Sequence, residues 1–331
     1  MSKTVAIGTT GGTISMSAVS VLGPVNVSLE GHQLVAPLAQ WLPDINIKAT
    51  TLLQLGSPQL TVNNVIEIFN FAHEAIALGA DGVVIVQGTD TLEEVAYLLD
   101  LLWDREQPLV ITGAMRASDD AGAEGLGNLV AATRVAVDSR LSGMGVLAVL
   151  NDEAHLASLV RKVDANALSA FKSVSWGPVA KVVEGSVAVA YSPFTRPSPL
   201  PVPDTPKLRI PIIMAGLDDD GDTIRAATSN GVNGLILSAM GSGHLPIDLA
   251  DAAEEAIKAG IPVVFSSRTG GGTTTRNSYA YPGSEVDLLN RGLIGAGWLD
   301  ERKSRLLLHL LLAKGSTMDE IESEFAKRGR L

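Results

Sequence analysis

Cysteine is absent from the 331 residues. With it go disulfides, thiol nucleophiles, iron–sulfur clusters and cysteine zinc sites. Histidine is scarce: His32, His73, His155, His244 and His309 are scattered, with no HExxH or other ligand spacing, which argues against a histidine metal site. Basic residues are outnumbered, 25 Lys and Arg against 36 Asp and Glu, for a net charge of −11 and a pI near 4.9. No basic patch interrupts that balance, so a nucleic-acid backbone would be repelled. Charge of either sign is sparse, at 18% of residues against 46% hydrophobic, and mean hydropathy is +0.25. Long apolar runs are nonetheless missing. The longest near the end, Leu306 to Ala313, is broken by His309 and falls far short of the ~20 residues a membrane span needs. The start, MSKTVAIGTTGGT, carries one lysine and then a glycine–threonine cluster where a signal peptide would have its apolar core. These absences predict a cytoplasmic protein with neither nucleic acid nor membrane as partner. Its surplus apolar surface is expected in a parallel sheet buried on both faces and in subunit contacts.

What is present is an alternation. Short runs rich in Val, Ile and Leu, at Thr4–Gly8, Ile47–Leu55, Gly82–Val86, Leu109–Thr112, Val146–Leu150, Ile210–Met214, Gly234–Ser238 and Pro262–Ser266, read as strands. Between them lie stretches with apolar spacing near 3.6, Val62–Leu78, Leu92–Trp103, Leu126–Leu141 and Leu249–Ala259, which read as helices. Strands alternating with helices predict βα units and a mostly parallel sheet. Prolines at 193, 197, 199, 201, 203 and 206 mark an extended linker. The expected division is an N-terminal catalytic α/β domain over 1–191, a linker over 192–206 and a smaller C-terminal α/β domain over 207–331. Near the end, Thr317 and Glu320 form a capping box that opens a closing surface helix.

Ligands of an open parallel sheet sit outside the carboxyl ends of its strands. After the first strand comes Thr9-Thr10-Gly11-Gly12-Thr13, and after the second Leu55-Gly56-Ser57. After the third comes Gln87-Gly88-Thr89-Asp90-Thr91, and after the fourth Gly113-Ala114-Met115-Arg116. Singly, each is equally well an ordinary tight turn or helix N-cap. Four at one sheet edge converge on one crevice. Phosphate binding fits poorly, since Gly8–Thr13 is neither GxGxxG nor GxxxxGK[ST], and no Walker lysine follows Gly270-Gly271-Gly272. A hydrolase fits better: Thr13 and Thr89 are well-placed hydroxyl nucleophiles. No histidine is near them in sequence, but a neutral lysine can serve as base. Lysine is sparse in the first domain, and Lys162, beyond the strand Val146–Leu150, could return over the crevice, or else be a solvated surface lysine.

Together TTGGTIS (Thr9–Ser15), GS (Gly56–Ser57), QGTDT (Gln87–Thr91), GAMR (Gly113–Arg116) and SSRTGGGTTT (Ser266–Thr275) resemble the bacterial-type L-asparaginase family. The resemblance runs through essentially the whole chain, including motif order and linker position. It implies a large flavodoxin-like α/β domain with a mostly parallel sheet plus a smaller C-terminal α/β domain. It also implies a homotetramer, a dimer of intimate dimers with sites between subunits, and no metal or organic cofactor. By the same resemblance Thr13 is the nucleophile, and Thr89, Asp90 and Lys162 form a second threonine–aspartate–lysine arrangement. The lysine is matched by its even spacing between Asn151-Asp152 and Phe171-Lys172-Ser173. Ser57 would hold the substrate's α-carboxylate and Asp90 its α-ammonium. Gly88 and Ala114 line the substrate, with backbone N–H groups near Thr89 and Ala114 for the oxyanion, and Glu285 would reach a neighbouring subunit's ammonium site.

The chain departs from the family at one place. The family's assisting tyrosine on the mobile loop is missing, since no tyrosine lies between Ile14 and Gly31, and Ser28 stands at the approximate position. Gln87 also replaces a common histidine. The implied activity is hydrolysis of L-asparagine to aspartate and ammonia through a threonine acyl-enzyme. The alternatives are the same chemistry on glutamine, a D-amino acid amide or a modified substrate, or a weakly active amino-acid-binding homologue.

Overall fold

In the computed structural model, which describes residues 2–18, 25–27, 30–190, 196–204 and 207–330, the chain divides into two units, 1–199 and 200–331. The division falls within the proline-rich segment. The first unit is built on eight strands: β1 (Lys3–Thr9), β2 (Ile45–Thr51), β3 (Gly82–Val86), β4 (Leu109–Thr112), β5 (Val146–Leu150), β6 (Glu153–Leu156), β7 (Ala180–Val183) and β8 (Ser186–Val189). They form one sheet in the order β2-β1-β3-β4-β5-β6-β7-β8. Pairing is parallel from β2 to β5 and antiparallel from β5 to β8.

Burial explains why the central strands are unbroken apolar runs. Every residue of β3, β4 and β5 is buried, as expected where both sheet faces are covered. Val84, Val86 and Val110 pack in one cluster with Leu129, Ala132 and Val135 of α3 (Gly125–Ala136). Val83 and Ile85, equally buried, alternate with them and face the other way. The helix α1 (Val62–Ala77) buries Val65, Ile68, Phe69 and Ala72, a stripe at helical spacing, and starts from a capping box between Thr61 and Asn64. It packs against β1, β3 and α2 (Leu92–Leu102). The helix expected over Leu126–Leu141 is shorter. It ends at Ala136, and Asp138 caps a separate turn, Ser139–Leu141, through a bond from the Arg140 backbone N–H.

Two-residue turns close the hairpins at the antiparallel end. Asn151-Asp152 joins β5 to β6 and Glu184-Gly185 joins β7 to β8, with φ of 51°, 58°, 48° and 74° in that order. Left-handed backbone at both positions gives the twist that lets flanking strands pair. The strand order 2-1-3 then puts a topological switch point between β1 and β3, where α/β sheets hold their ligands.

The second unit has a four-stranded parallel sheet in the order β9 (Ile212–Met214), β10 (Leu235–Ala239), β11 (Val263–Ser267), β12 (Ile294–Gly295). Its helices are α4 (Asp222–Ser229), α5 (Ile247–Lys258), α6 (Glu285–Asn290), α7 (Glu301–Ala313) and α8 (Met318–Arg328). The run Leu306–Ala313 is the second half of α7, and among the described residues no helix is long and apolar enough to cross a membrane. The Thr317–Glu320 capping box opens α8.

Candidate active site

At the carboxyl end of β1 the chain makes two moves that only glycine permits. Gly11 and Gly12 take φ of 106° and 87°, left-handed backbone that costs an L side chain roughly 1–2 kcal/mol. Space is equally restrictive. A Cβ on Gly11 would lie 2.5 Å from the Leu55 carbonyl oxygen, and one on Gly12 would lie 2.1 Å from the Gly88 nitrogen. The first contact draws the segment after β2 to this edge, aided by bonds from Leu55 N–H to the Thr10 carbonyl and from Thr10 N–H to the Val86 carbonyl, both 2.9 Å. The second lays residue 12 on the start of the Gly88–Thr91 turn. Thr13 leaves that contact half-buried, at the head of a short 3-10 turn.

The turn after β3 assembles around Ser57, only 3% exposed. The Asp90 N–H donates to Ser57 Oγ at 3.2 Å, and the Thr91 hydroxyl donates to the Ser57 carbonyl at 3.0 Å. Gly88 also needs its bare α-carbon, since a Cβ there would meet Ser57 Oγ at 2.8 Å. Lys162 comes from a two-residue strand, Arg161–Lys162, paired with Phe171–Lys172. Its Nζ donates to Thr89 Oγ1 at 2.9 Å and to Asp90 Oδ1 at 2.8 Å. The lysine side chain is 15% exposed and that of Asp90 62%, so the hydroxyl, ammonium and carboxylate form a chain running from the protein interior toward solvent.

The turn after β4 closes the group. A Cβ on Gly113 would sit 3.3 Å from Thr89 Cγ2, and Ala114 is fully buried. At the head of α3, Gly125 lies against both Ile14 and Ala114, at 2.8 and 3.4 Å from where its Cβ would be. One helix terminus therefore touches the residue after Thr13 and the residue proposed beside the oxyanion. The structure thus brings Ser57, Gly88, Thr89, Asp90 and Lys162 into direct contact and brings the backbone beside Thr13 and Ala114 onto them. Ser28 lies outside the described residues. Glu285 belongs to the second unit. There its fully buried carboxylate heads α6, Oε1 accepting the N–H groups of Ser278 (2.7 Å) and Tyr279 (2.9 Å). His244 Nε2 stands 3.3 Å from Oε2. Burial pushes this carboxyl's pKa up, but the backbone N–H bonds outweigh it and hold the group below its ordinary range.

Three supporting residues escaped the reading from sequence. Glu93, in the first turn of α2 and 2% exposed, accepts the Lys162 backbone N–H at 2.5 Å. Glu124 accepts the Met115 N–H. Asn128, 4% exposed, donates to the Gly113 carbonyl at 3.0 Å and accepts the Asn151 N–H at 2.9 Å. The available signal was a polar residue within an apolar helical face, Glu93 and Asn128 both occupying inward positions.

Such a cluster has the parts of a hydroxyl nucleophile's site: two threonines, a lysine, a carboxylate to orient it, and backbone turns. Comparison with known proteins points the same way. Residues 4–195 match the family described as Asparaginase, N-terminal, and residues 209–325 match the Glutaminase/Asparaginase C-terminal domain. An L-asparaginase of Bacillus licheniformis is 32% identical over 319 residues, covering 95% of this chain and 96% of its own. A probable periplasmic L-asparaginase of Haemophilus influenzae is 33% identical over 325 residues, covering 96% and 90%. The crystal structure of a probable cytoplasmic L-asparaginase from Campylobacter jejuni superposes with a TM-score of 0.84 at 28% identity, covering 98% of this chain and 99% of that one.

Proposed function

Because the chain belongs to the asparaginase family in both of its parts, we propose that it hydrolyses the side-chain amide of L-asparagine to L-aspartate and ammonia through an acyl-enzyme on Thr13. The observation that carries this reading is Lys162 Nζ bonded at once to Thr89 Oγ1 and Asp90 Oδ1. Thr13 Oγ1 attacks the amide carbon, and backbone N–H groups near Thr89 and Ala114 receive the oxyanion. Each such donor contributes roughly 10²–10³ in rate. The C–N bond breaks as the nitrogen takes a proton and leaves as ammonia. Water then attacks the ester carbon, restoring the Thr13 hydroxyl and releasing aspartate. Lys162, oriented by Asp90 and acting as a neutral amine, takes the Thr13 proton through Thr89 as the attack proceeds and gives it to the departing nitrogen. In the second half-reaction it takes a proton from the attacking water and returns one to the Thr13 oxygen. Ser57 receives the α-carboxylate, Asp90 the α-ammonium, and Gly88 leaves room for the substrate backbone. Every atom and proton of the cycle is accounted for by these groups and water.

The same reading makes the protein a homotetramer built from intimate dimers, with Glu285 serving a neighbour's ammonium site. We assign it to the cytoplasm by its likeness to the Campylobacter jejuni structure, named as cytoplasmic. Cell fractionation distinguishes this from the periplasm named for the Haemophilus influenzae relative. For domains, we keep the boundaries 1–191 and 207–331 about a linker at 192–206.

The test is ammonia release from a panel of L-asparagine, L-glutamine and D-asparagine, with Thr13→Ala and Thr89→Val alongside wild type. Asparagine should be turned over fastest, and each variant should retain no more than about 1% of the rate, the loss expected on removing a unit of the nucleophilic machinery. Faster release from glutamine or D-asparagine would reassign the substrate. Ammonia from none of them would overturn the enzyme reading.

A further inference from the structure

A second concavity in the first unit lies along α3, and neither Thr13 nor Thr89 lines it. This open hollow has a volume of about 480 Å³, within the ~300–1,000 Å³ of ordinary small-molecule sites. Three of its walls differ in chemistry. One is apolar and exposed: Trp41 is 52% and Leu126 41% accessible, with Val130 beside them. Water-exposed indole and isobutyl groups on one concave face are a standing cost that an apolar ligand would remove.

The second wall is the Arg134 guanidinium. Its Nη2 donates to the Trp41 carbonyl at 3.2 Å, its Nε is buried without a hydrogen-bond partner, and it makes no ion pair among the described residues. The bare Gly185 leaves it room, since a Cβ there would sit 3.2 Å from Nη2. A guanidinium that lines a cavity without an ion-pair partner is matched by a carboxylate. The third wall is formed by the two hairpin tips. Asp152 and Glu184, both in left-handed backbone, line the same cavity, and neither makes an ion pair among the described residues. With two carboxylates to one guanidinium the cavity carries net negative charge, so a simple anion is repelled while a ligand with its own ammonium is not.

We propose that this cavity binds a zwitterionic amino acid with an apolar side chain. Its α-carboxylate meets Arg134, its α-ammonium meets Asp152 and Glu184, and its side chain lies on Trp41, Leu126 and Val130. The rim is wired to the threonine site. Asn151, in the same turn as Asp152, donates its N–H to Asn128 Oδ1, and Asn128 Nδ2 donates to the Gly113 carbonyl. Gly125, the residue before the cavity's Leu126, abuts Ile14 and Ala114. A ligand that fixes the Asn151-Asp152 turn therefore acts on the backbone beside the proposed oxyanion site, and occupancy is read out as altered turnover. This second half, and only this half, rests on the function proposed above.

Calorimetric titration of the full-length protein with L-leucine, in saturating L-aspartate to fill the threonine site, tests the binding. One equivalent per chain should bind with sub-millimolar to millimolar affinity. Arg134→Gln should weaken it by at least about tenfold, as should removing either charge from the ligand with 4-methylpentanoate or 3-methylbutylamine as probes. Leu126→Ser, at an exposed position, should also weaken it and covers the case where Arg134→Gln does not fold. In wild type, saturating leucine should change asparagine turnover by at least about twofold, and in Arg134→Gln it should not. Absence of leucine binding, displacement by aspartate, or binding unchanged in both variants would overturn the proposal. So would a change of oligomer size in Leu126→Ser by light scattering, which would make the cavity a subunit contact. Leucine bound in a protein that releases no ammonia from asparagine would leave the site standing and overturn the function instead.

Discussion

At the scale of single residues, geometry is imposed by what is too small to object and held by what is buried. Gly12 approaches the Gly88 nitrogen so closely that a methyl group would lie 2.1 Å away, in backbone of φ 87°. Glu93 works from the other side, fixing the main chain of the residue whose ammonium reaches Thr89. Replacing Glu93 by Gln keeps the volume and an acceptor but weakens a charge-assisted bond, a difference of about 1.5 kcal/mol. We expect kcat for asparagine to fall about tenfold with a smaller change in KM, because the group acts on Lys162 and touches no substrate atom. Steady-state kinetics beside a thermal melt would show it. A melt lowered with kcat intact would make Glu93 purely structural.

At the scale of elements, the antiparallel end of the sheet stores a titration. His155 on β6 is fully buried, its Nδ1 2.9 Å from Ser173 Oγ and its Nε2 3.6 Å from Glu153 Oε2. Burial pushes its pKa down to about 4; the Glu153 carboxylate opposes this, and the Lys172 and Lys181 cations add to it. A histidine depressed in the fold is more readily protonated unfolded. The stability it confers is thus complete above the ordinary value of ~6.5 and lost as pH falls toward 4, by roughly 3 kcal/mol at most. Glu153 itself is held below its ordinary range, burial opposing while Lys172 and Lys181 prevail, so its contribution is lost only at lower pH. Urea titrations from pH 7 to 4 should show wild-type stability declining across this window, and His155→Gln should flatten the slope between pH 6.5 and 4.5. An unchanged slope would place the acid sensitivity elsewhere.

At the scale of the molecule, the second unit leaves apolar surface on its edge strand and the turn after it: Ile212 is 36%, Met214 64% and Leu217 96% exposed. Exposed apolar groups on an edge that no strand pairs among the described residues are the kind of surface that subunit association covers, which supports the proposed assembly. Glu285 gives the sharper test. If it serves a neighbour's site, mixing Thr13→Ala with Glu285→Gln subunits under exchange should regenerate some sites that carry both groups, and asparagine turnover should recover. Exchange proven by mass without recovery would confine Glu285 to holding the Ser278–Tyr279 backbone of its own subunit.

Much of this was written in the sequence. Local periodicity and turn chemistry are properties of neighbouring residues, so the strands β3, β4 and β5, the capping box at Thr317 and the glycine–threonine turns after β1 and β3 could be read directly. Motif identity carried Thr89, Asp90 and Ser57 to one crevice, because strand order in a βα array brings those turns to one edge. What sequence could not decide is whatever depends on distant chain meeting in space. Whether Lys162 is a surface lysine or a partner of Thr89 turns on a two-residue strand 73 positions away, and Glu93 and Asn128 differ from ordinary helical polar residues only in what they face. The helix expected to Leu141 ended at Ala136 because Asp138 offered the backbone a competing cap. The cavity along α3 belongs wholly to the tertiary structure. Trp41, Arg134, Asp152 and Glu184 share no motif and no period, and only the packing of a helix against two hairpin tips makes them neighbours.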